Sequence, residues 1–345
     1  MTPLFEADLH NFGQCVKRIE RGPSTWYKKP RSVFWEHLFF GDNSPIKSIF
    51  DSIGSNGIQP LASYLFNLEV ESESSWLGYA REVKSAQTPI CLNHFYSLGV
   101  LIGYCYLFGI RDLHKYNIVI CENHLQVIDA EVILTNLILP NETLLLPFKE
   151  IPLELSAMSL LRPSLKGFDN SEIHNIFAGY FDVATTILDN FDQIRSTISH
   201  EKLELYPARV ILKNTKQYRD FLLGHQDSTG FLPEELIQLE RGDIPYFFKF
   251  IGQDCLWYLS GPDEVRAVSH LPDDLQKDVN RHCKKLEILL TSESAILKKI
   301  ATGALYLQKV FGEIPEQLSD KRGIILCEKS SLRFRNHFIT NRAVI

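Results

Sequence analysis

Hydrophobic and polar positions follow two rhythms along this chain. Cys15 to Arg21 and Thr25 to Lys29 read as two strands around a turn at Gly22-Pro-Ser24. Side chains alternate along a strand, so Tyr27 and Lys29 share one face of the second. Residues 33–53 and 59–83 read as helical, broken at Gly41-Asp-Asn-Ser-Pro45 and Gly54-Ser-Asn-Gly57. Leu92 to Ile110 is apolar almost throughout, which predicts a buried central helix. Ile118 to Ile128 reads as a strand, a turn at Glu122-Asn123-His124 and a second strand. Residues 132–170 contain Pro140, Pro147, Pro152 and Pro163 and little periodicity, which predicts a long irregular segment of the kind that often carries function. Ile176, Phe177, Tyr180, Phe181, Ala184, Ile187, Leu188 and Phe191 recur at helical spacing, as a core stripe does. Residues 265–311 predict two further amphipathic helices.

Composition narrows the function classes. The 345 residues suffice for one large bilobal domain or two ordinary ones. A net charge of −6 leaves no basic footprint, so no nucleic-acid partner is expected. The longest apolar stretch, Phe95 to Ile110, is too short to span a bilayer comfortably and holds three tyrosines, so no membrane span is expected. Seven cysteines, an odd number with no Cys-x-x-Cys, predict reduced thiols and a cytoplasmic setting. No signal peptide is read at Met1-Thr-Pro-Leu-Phe5.

The densest chemistry lies at Gly109-Ile-Arg-Asp112-Leu-His114-Lys-Tyr-Asn117 and at Gln126-Val-Ile-Asp129-Ala-Glu131. The intervening hairpin folds Asp129 back beside Asn117. That gathers carboxylate and amide oxygens around one point, as a hard cation with phosphate ligands requires. In protein kinases a catalytic-loop Asp orients the hydroxyl, an Asn five residues later holds one metal, and a further Asp holds the other. Asp112 and Asn117 are also five apart. On this pattern Asp112 accepts or orients a hydroxyl proton, and Asn117 with Asp129 binds Mg2+. Lys29 reaches nucleotide phosphates, and Glu131 either shares the metal or pairs with Lys29. His114 either faces Asp112 or braces the loop.

These elements, in this order, resemble the dehydration domain of class II lanthipeptide synthetases over roughly residues 5–250. Asp8-Leu9-His10-Asn11 is similar to the family's Gly-Asp-x-His-Asn, with Ala7 in place of the glycine. Tyr27-Lys-Lys-Pro-Arg31 is similar to Tyr-Lys-Pro-Arg with one extra lysine; alignment on Lys-Pro-Arg selects Lys29 and leaves Lys28 open. The likeness resumes at Trp76 and from Phe95 to Glu131. It continues at Arg209-Val-Ile-Leu-Lys-Asn-Thr215-Lys-Gln-Tyr218 and ends at Gly242-Asp-Ile-Pro-Tyr-Phe247.

The resemblance implies an α+β, divergent bilobal kinase-like fold related to lipid kinases, with a helix-rich C-terminal lobe. Residues 1–90 would form the N-terminal lobe. Residues 91–345 would form the C-terminal lobe, with the catalytic and metal-binding loops and a helical extension. It implies ATP and Mg2+, and a peptide whose Ser and Thr are phosphorylated and then stripped of phosphate, leaving dehydroalanine or dehydrobutyrine. It assigns Asp8, His10, Arg209 and Thr215 to the elimination step. As one continuous strand, 209 to 215 would hold Arg209 and Thr215 on one face about 20 Å apart, too far to share a phosphate unless the strand bends. Only seven residues precede Asp8, and the family's zinc cyclase is not expected. The pair His282-Cys283 stands in a charged run without glycines, as a surface or core pair does.

The leading expectation is therefore a stand-alone ATP-dependent Ser/Thr dehydratase acting on a peptide. A second is a Ser/Thr kinase or dehydrating enzyme acting on a folded protein, such as an effector secreted into a host cell. A third is an inactive binding module, against which Lys29, Asp112, Asn117, Asp129 and Arg209 jointly count.

Overall fold

Strands β1 (Lys17–Arg21) and β2 (Ser24–Lys29) pair antiparallel, with Lys17 opposite Lys28 and Arg21 opposite Ser24. The structure, a computed structural model, describes residues 8–52, 54, 57, 59–147, 152–164, 167–262, 264–312, 324–328, 331–334 and 337–340. Ala7 and the residues before it, and positions 148–151 and 165–166 of the irregular segment, lie outside the described residues. After β2 the chain enters α1 (Phe34–Phe40), which buries Phe34, Trp35, Leu38, Phe39 and Phe40. The indole N–H of Trp35 donates to the Pro207 carbonyl at 2.8 Å, tying α1 to a segment 172 residues away.

The helical expectation for 33–53 and 59–83 needs correction. Among the described residues, helix there is confined to α1, a 3-10 turn at Lys47–Phe50 and the short α2 (Ala62–Leu65). Then β3 (Val70–Ser74) and β4 (Leu77–Arg81) form a hairpin that completes a sheet of order β1-β2-β4-β3. Glu71, Ser72, Glu73 and Ser74 are all exposed, as suits an edge strand that must not template further pairing.

Helix α3 (Leu92–Phe108) is buried from His94 to its end. It crosses α4 (Asn170–Asp189) closely because two glycines meet there. A Cβ at Gly99 would lie 1.9 Å from the Ile176 carbonyl oxygen, and one at Gly179 would lie 2.1 Å from that of Tyr96. Gly109 closes α3 in the left-handed conformation, φ +70°, against the Thr135 backbone. The chain then turns into the loop of Asp112. Strands β5 (Ile118–Ile120) and β6 (Leu125–Val127) form the expected hairpin, with Ile118 opposite Val127. The irregular segment that follows contains 3-10 turns at Pro140–Thr143, Leu153–Leu155 and Ala157–Leu160.

After α5 (Phe191–Ser199) come β7 (Ala208–Val210), α6 (Thr215–Leu222) and α7 (Pro233–Glu240). Arg209 to Tyr218 is thus not one strand. Asn214 caps α6 by accepting the Gln217 N–H at 3.0 Å, so the helix starts where the strand reading continued. β8 (Phe247–Lys249), β9 (Trp257–Gly261) and β10 (Glu264–Ala267) complete a second antiparallel sheet, order β10-β9-β8-β7. The region 265–311 begins in β10 and holds three helices, not two: α8 (Asp273–Val279), α9 (Leu286–Leu289) and α10 (Glu293–Phe311). Strands β11 (Ile324–Glu328), β12 (Ser331–Phe334) and β13 (His337–Thr340) form a third sheet. The class is α+β. One buried apolar cluster extends from Phe34 to Phe311. Among the described residues, no helix is long and apolar enough to cross a membrane.

Candidate functional site

Lys29 is the last residue of β2 and is buried. Its ammonium group donates to Glu36 Oε1 at 3.1 Å, to the Ile128 carbonyl at 2.8 Å and to Asp129 Oδ1 at 3.3 Å. These three acceptors match the three donors of an ammonium. Lys28 is half-buried and makes none of these bonds. Arg31 follows Pro30 into the same cluster. Its Nη2 meets Glu36 and Asp129, its Nε lies 2.9 Å from Glu131 Oε2, and its Nη1 donates to the Ser32 carbonyl at 2.8 Å. One guanidinium thus joins three carboxylates from separate stretches of chain.

Arg209 enters from β7. Its backbone N–H donates to the Glu131 carbonyl at 2.9 Å, and its guanidinium is paired with the Glu131 carboxylate. Lys29, Arg31 and Arg209 therefore face Glu36, Asp129 and Glu131 as a balanced network, buried except at the partly exposed Asp129 and Arg209, the condition under which buried charge is tolerated. Burial alone would raise the Asp129 carboxyl, but Arg31, Lys29 and Arg209 hold it well below the usual range. Glu131 is lowered in the same way, against its burial, by Arg209 and Arg31. Glu131 pairs with the two arginines, not with Lys29.

The Asp112 loop lies beside this network. Asp112 has φ +63°, an unusual conformation for a residue with a side chain. Burial pushes its carboxyl up to about 6, opposed by the charges of His114 and Arg209. His114 Nε2 is 3.8 Å from Asp112 Oδ1, while its Nδ1 accepts the Tyr116 N–H at 3.3 Å. His114 therefore both faces Asp112 and braces the turn. Asn117 Nδ2 donates to the Asp112 backbone carbonyl at 2.7 Å, and the Asn117 carbonyl accepts the Ile128 N–H at 3.0 Å. That last bond is what brings Asn117 back beside Asp129.

The remaining predicted residues approach from the other side. His10 donates Nδ1–H to the Ile244 carbonyl at 2.7 Å, and its ring stands edge-on to Tyr246 at 5.7 Å between centroids. Burial lowers its pKa, and Arg209 lowers it further. Tyr246 donates to Glu131 Oε2 at 3.4 Å and lies under the Arg209 guanidinium at 5.1 Å. Asp8 accepts two bonds from Arg219 of α6, at 2.7 and 3.2 Å. Thr215 begins α6, one helical turn before Arg219. No hydrogen bond joins Thr215 to Arg209 among the described residues, and the 20 Å separation along a strand does not apply. The site thus brings Lys29, Asp129, Glu131 and Arg209 into one network. Asp112, His114 and Asn117 share one loop, His10 joins through Tyr246, and Asp8 and Thr215 meet only through α6.

The donor set suits a divalent cation. Asp129 Oδ2 and Asn117 Oδ1 have no hydrogen-bond partner among the described residues, since Oδ1 and Nδ2 carry the bonds above. A carboxylate and an amide oxygen are hard donors, and Mg2+ typically takes one or two protein oxygens with water and phosphate completing its shell. Among the described residues, no group of three or more His, Cys, Asp or Glu is arranged to hold a metal by itself. His282 and Cys283 lie in the core: His282 Nδ1 is 3.1 Å from Thr135 Oγ1, and burial raises the Cys283 thiol to about 12.

Glu36, Arg31 and Tyr246 are absent from the sequence-predicted set. Arg31 and Tyr246 lie inside motifs that carry the resemblance. Glu36 had one signal: it is the only acid in the largely aromatic run Phe34–Phe40. No curated protein matches the chain. Residues 4–159, somewhat under half of the chain and including every residue of the network except Arg209, match a family described as Domain of unknown function (DUF4135).

Proposed function

We propose that this chain is an ATP-dependent Ser/Thr dehydratase: it phosphorylates a hydroxyl of a peptide and then eliminates the phosphate. The observation that carries the reading is the joined network in which Lys29 and Arg31 hold Asp129, and Arg31 and Arg209 hold Glu131. A strand lysine paired with a helix glutamate, beside a loop Asp with an Asn five residues on, is the layout that protein kinases use for phosphoryl transfer. The matched domain is one associated with lanthipeptide synthetase-like proteins, which adds support. On this reading the fold is kinase-like and bilobal, with the β1–β4 sheet and α1 in the N-terminal lobe.

Mg2+, when bound, neutralises charge on the transferring phosphoryl group. Asn117 and Asp129 would hold it through their two spare oxygens. Lys29 turns one of its three N–H groups to the nucleotide phosphates. Asp112, with a pKa of about 6, is ionised at pH 7 and takes the hydroxyl proton. In elimination the Cα–H electron pair becomes the C=C bond, the Cβ–O bond breaks, and phosphate leaves with that bond's electrons. His10 has its Nδ1–H on a carbonyl, so Nε2 keeps a lone pair for the α-proton. Arg209 receives the departing phosphate. Its partner Glu131 then remains paired through Arg31, so no carboxylate is left stranded.

Mass spectrometry tests this with ATP, Mg2+ and Ser/Thr peptides. A loss of about 18 Da marks dehydration, and a gain of about 80 Da without loss marks a Ser/Thr kinase. No change on any peptide or folded protein would sink the reading.

A further inference from the structure

Ile244 and Tyr246 touch the site above, but Asp243 of the same stretch takes no part in that chemistry, although its carboxyl is fully buried. Asp243 is 0 % exposed. Its Oδ1 accepts the Gly13 N–H at 2.8 Å, and its Oδ2 accepts the Phe12 N–H at 2.8 Å and Arg241 Nε–H at 2.6 Å. Two successive amides converge on one carboxylate because Asn11, Phe12 and Gly13 have φ of 47°, 69° and 73°. That conformation is strained for Asn11 and Phe12 and needs something to hold it. The next residue continues the grip. Ile244 N–H donates to the Leu9 carbonyl at 2.7 Å, and the Ile244 carbonyl accepts His10 Nδ1–H at 2.7 Å. The Arg241 guanidinium lies 3.9 Å over the Phe12 ring and closes the outside.

We propose that Asp243 is a positioning residue: its carboxylate holds the Asn11–Gly13 turn so that His10 stays docked on Ile244, with Nδ1 protonated and Nε2 kept as the acceptor. The docking does not depend on the dehydratase reading; its consequence for elimination does. The groups acting on the docked ring are Arg209 from β7, Glu131 after β6, Asp8 before it, and Tyr246 packed against it. Loosening the turn lets water reach the ring and frees it from the Ile244 carbonyl.

The test is a pH titration of the His10 ring nitrogens by 15N NMR in the full chain, wild type beside Asp243→Asn and Arg241→Gln. Wild type should show a single Nδ1–H tautomer and a pKa below about 6.5. Asp243→Asn should show mixed tautomers and a pKa moved up toward that value. With a synthetic phosphopeptide, its elimination kcat should fall about 10- to 100-fold, with KM little changed and the acid limb displaced to higher pH. If the carboxylate only stabilised the fold, Asp243→Asn would lower the melting temperature and leave tautomer, pKa and acid limb in place; that result overturns the proposal. If Asp243→Asn fails to fold, Arg241→Gln removes one donor from Oδ2 and uncovers Phe12, and an unmoved His10 in that variant overturns it equally. A wild type with docked His10 but no elimination of any phosphopeptide would remove the dehydratase reading and leave the clamp standing.

Discussion

Asp112 carries a pH signature of its own. Burial raises its carboxyl to about 6 in the folded chain, above the unfolded value of about 3.9. Between those values the native state holds a proton that the unfolded chain does not. This group's contribution to stability is therefore full below the unfolded value and is lost as pH rises through about 6. Asp129 and Glu131 act in the opposite sense: their lowered pKa values stabilise the fold above the ordinary carboxylate range, and that is lost on acidification. Asp112→Asn should lower phosphorylation at least about 100-fold while keeping nucleotide affinity, and should melt above wild type at pH 8. Calorimetry and single-turnover kinetics check both, and wild-type kcat/KM should show an acid limb near 6. Asp129→Asn should abolish modification even at saturating Mg2+; wild-type turnover there would remove Asp129 from the metal site. Arg209→Ala should let phosphorylated peptide accumulate, and added phosphopeptide should not restore dehydration. Loss of both steps together would instead make Arg209 only a partner for Glu131.

At the scale of elements, α1 is bound to β2 through charge as much as through its aromatic face. Glu36 is 0 % exposed and takes bonds from both Lys29 and Arg31. Glu36→Ala should destabilise the fold by about 3–5 kcal/mol in urea unfolding, because two buried cations lose a partner. A change under about 1 kcal/mol would mean that Asp129 and Glu131 suffice for both cations. The elements legible in the sequence were those with local patterns. The hairpin from Ile118 to Val127 is two short apolar runs around a polar turn, and α4 shows its stripe. The β3–β4 hairpin was missed because Glu71 to Ser74 carries no apolar alternation: an edge strand exposed throughout leaves none to read. The strand placed through Thr215 overlooked Asn214 as a helix cap. Lys29, Asp129 and Glu131 were legible from motif and spacing. Glu36 was not, because its partners are chosen by tertiary packing, and Asp243 lies within a motif whose wording does not reveal that it holds the His10 turn.

For the whole molecule, the telling feature is the continuity of the core. The cluster that starts at Phe34 in α1 takes in α3 and α4 and reaches Phe311 at the end of α10. The candidate site lies across it, with Lys29 and Glu36 from early in the chain, Asp112 to Glu131 from the middle, and Arg209 from later. Such a chain should unfold as one unit: far-ultraviolet circular dichroism and a probe at the C-terminal end of α10 should give coincident urea transitions. Two separated transitions would mean that the lobes drawn at residue 90 have independent cores.

The hydrogen bond from Trp35 to the Pro207 carbonyl gives this architecture an optical gauge. Trp35 adjoins Glu36 on one side of the site, and Pro207 lies two residues before Arg209 on the other. Indole emission responds to the state of its N–H and to water around the ring. Trp26, Trp76 and Trp257 emit as well, so any ligand that draws α1 and β7 together or apart is reported, with no label attached, by the difference in emission between the wild type and Trp35→Phe.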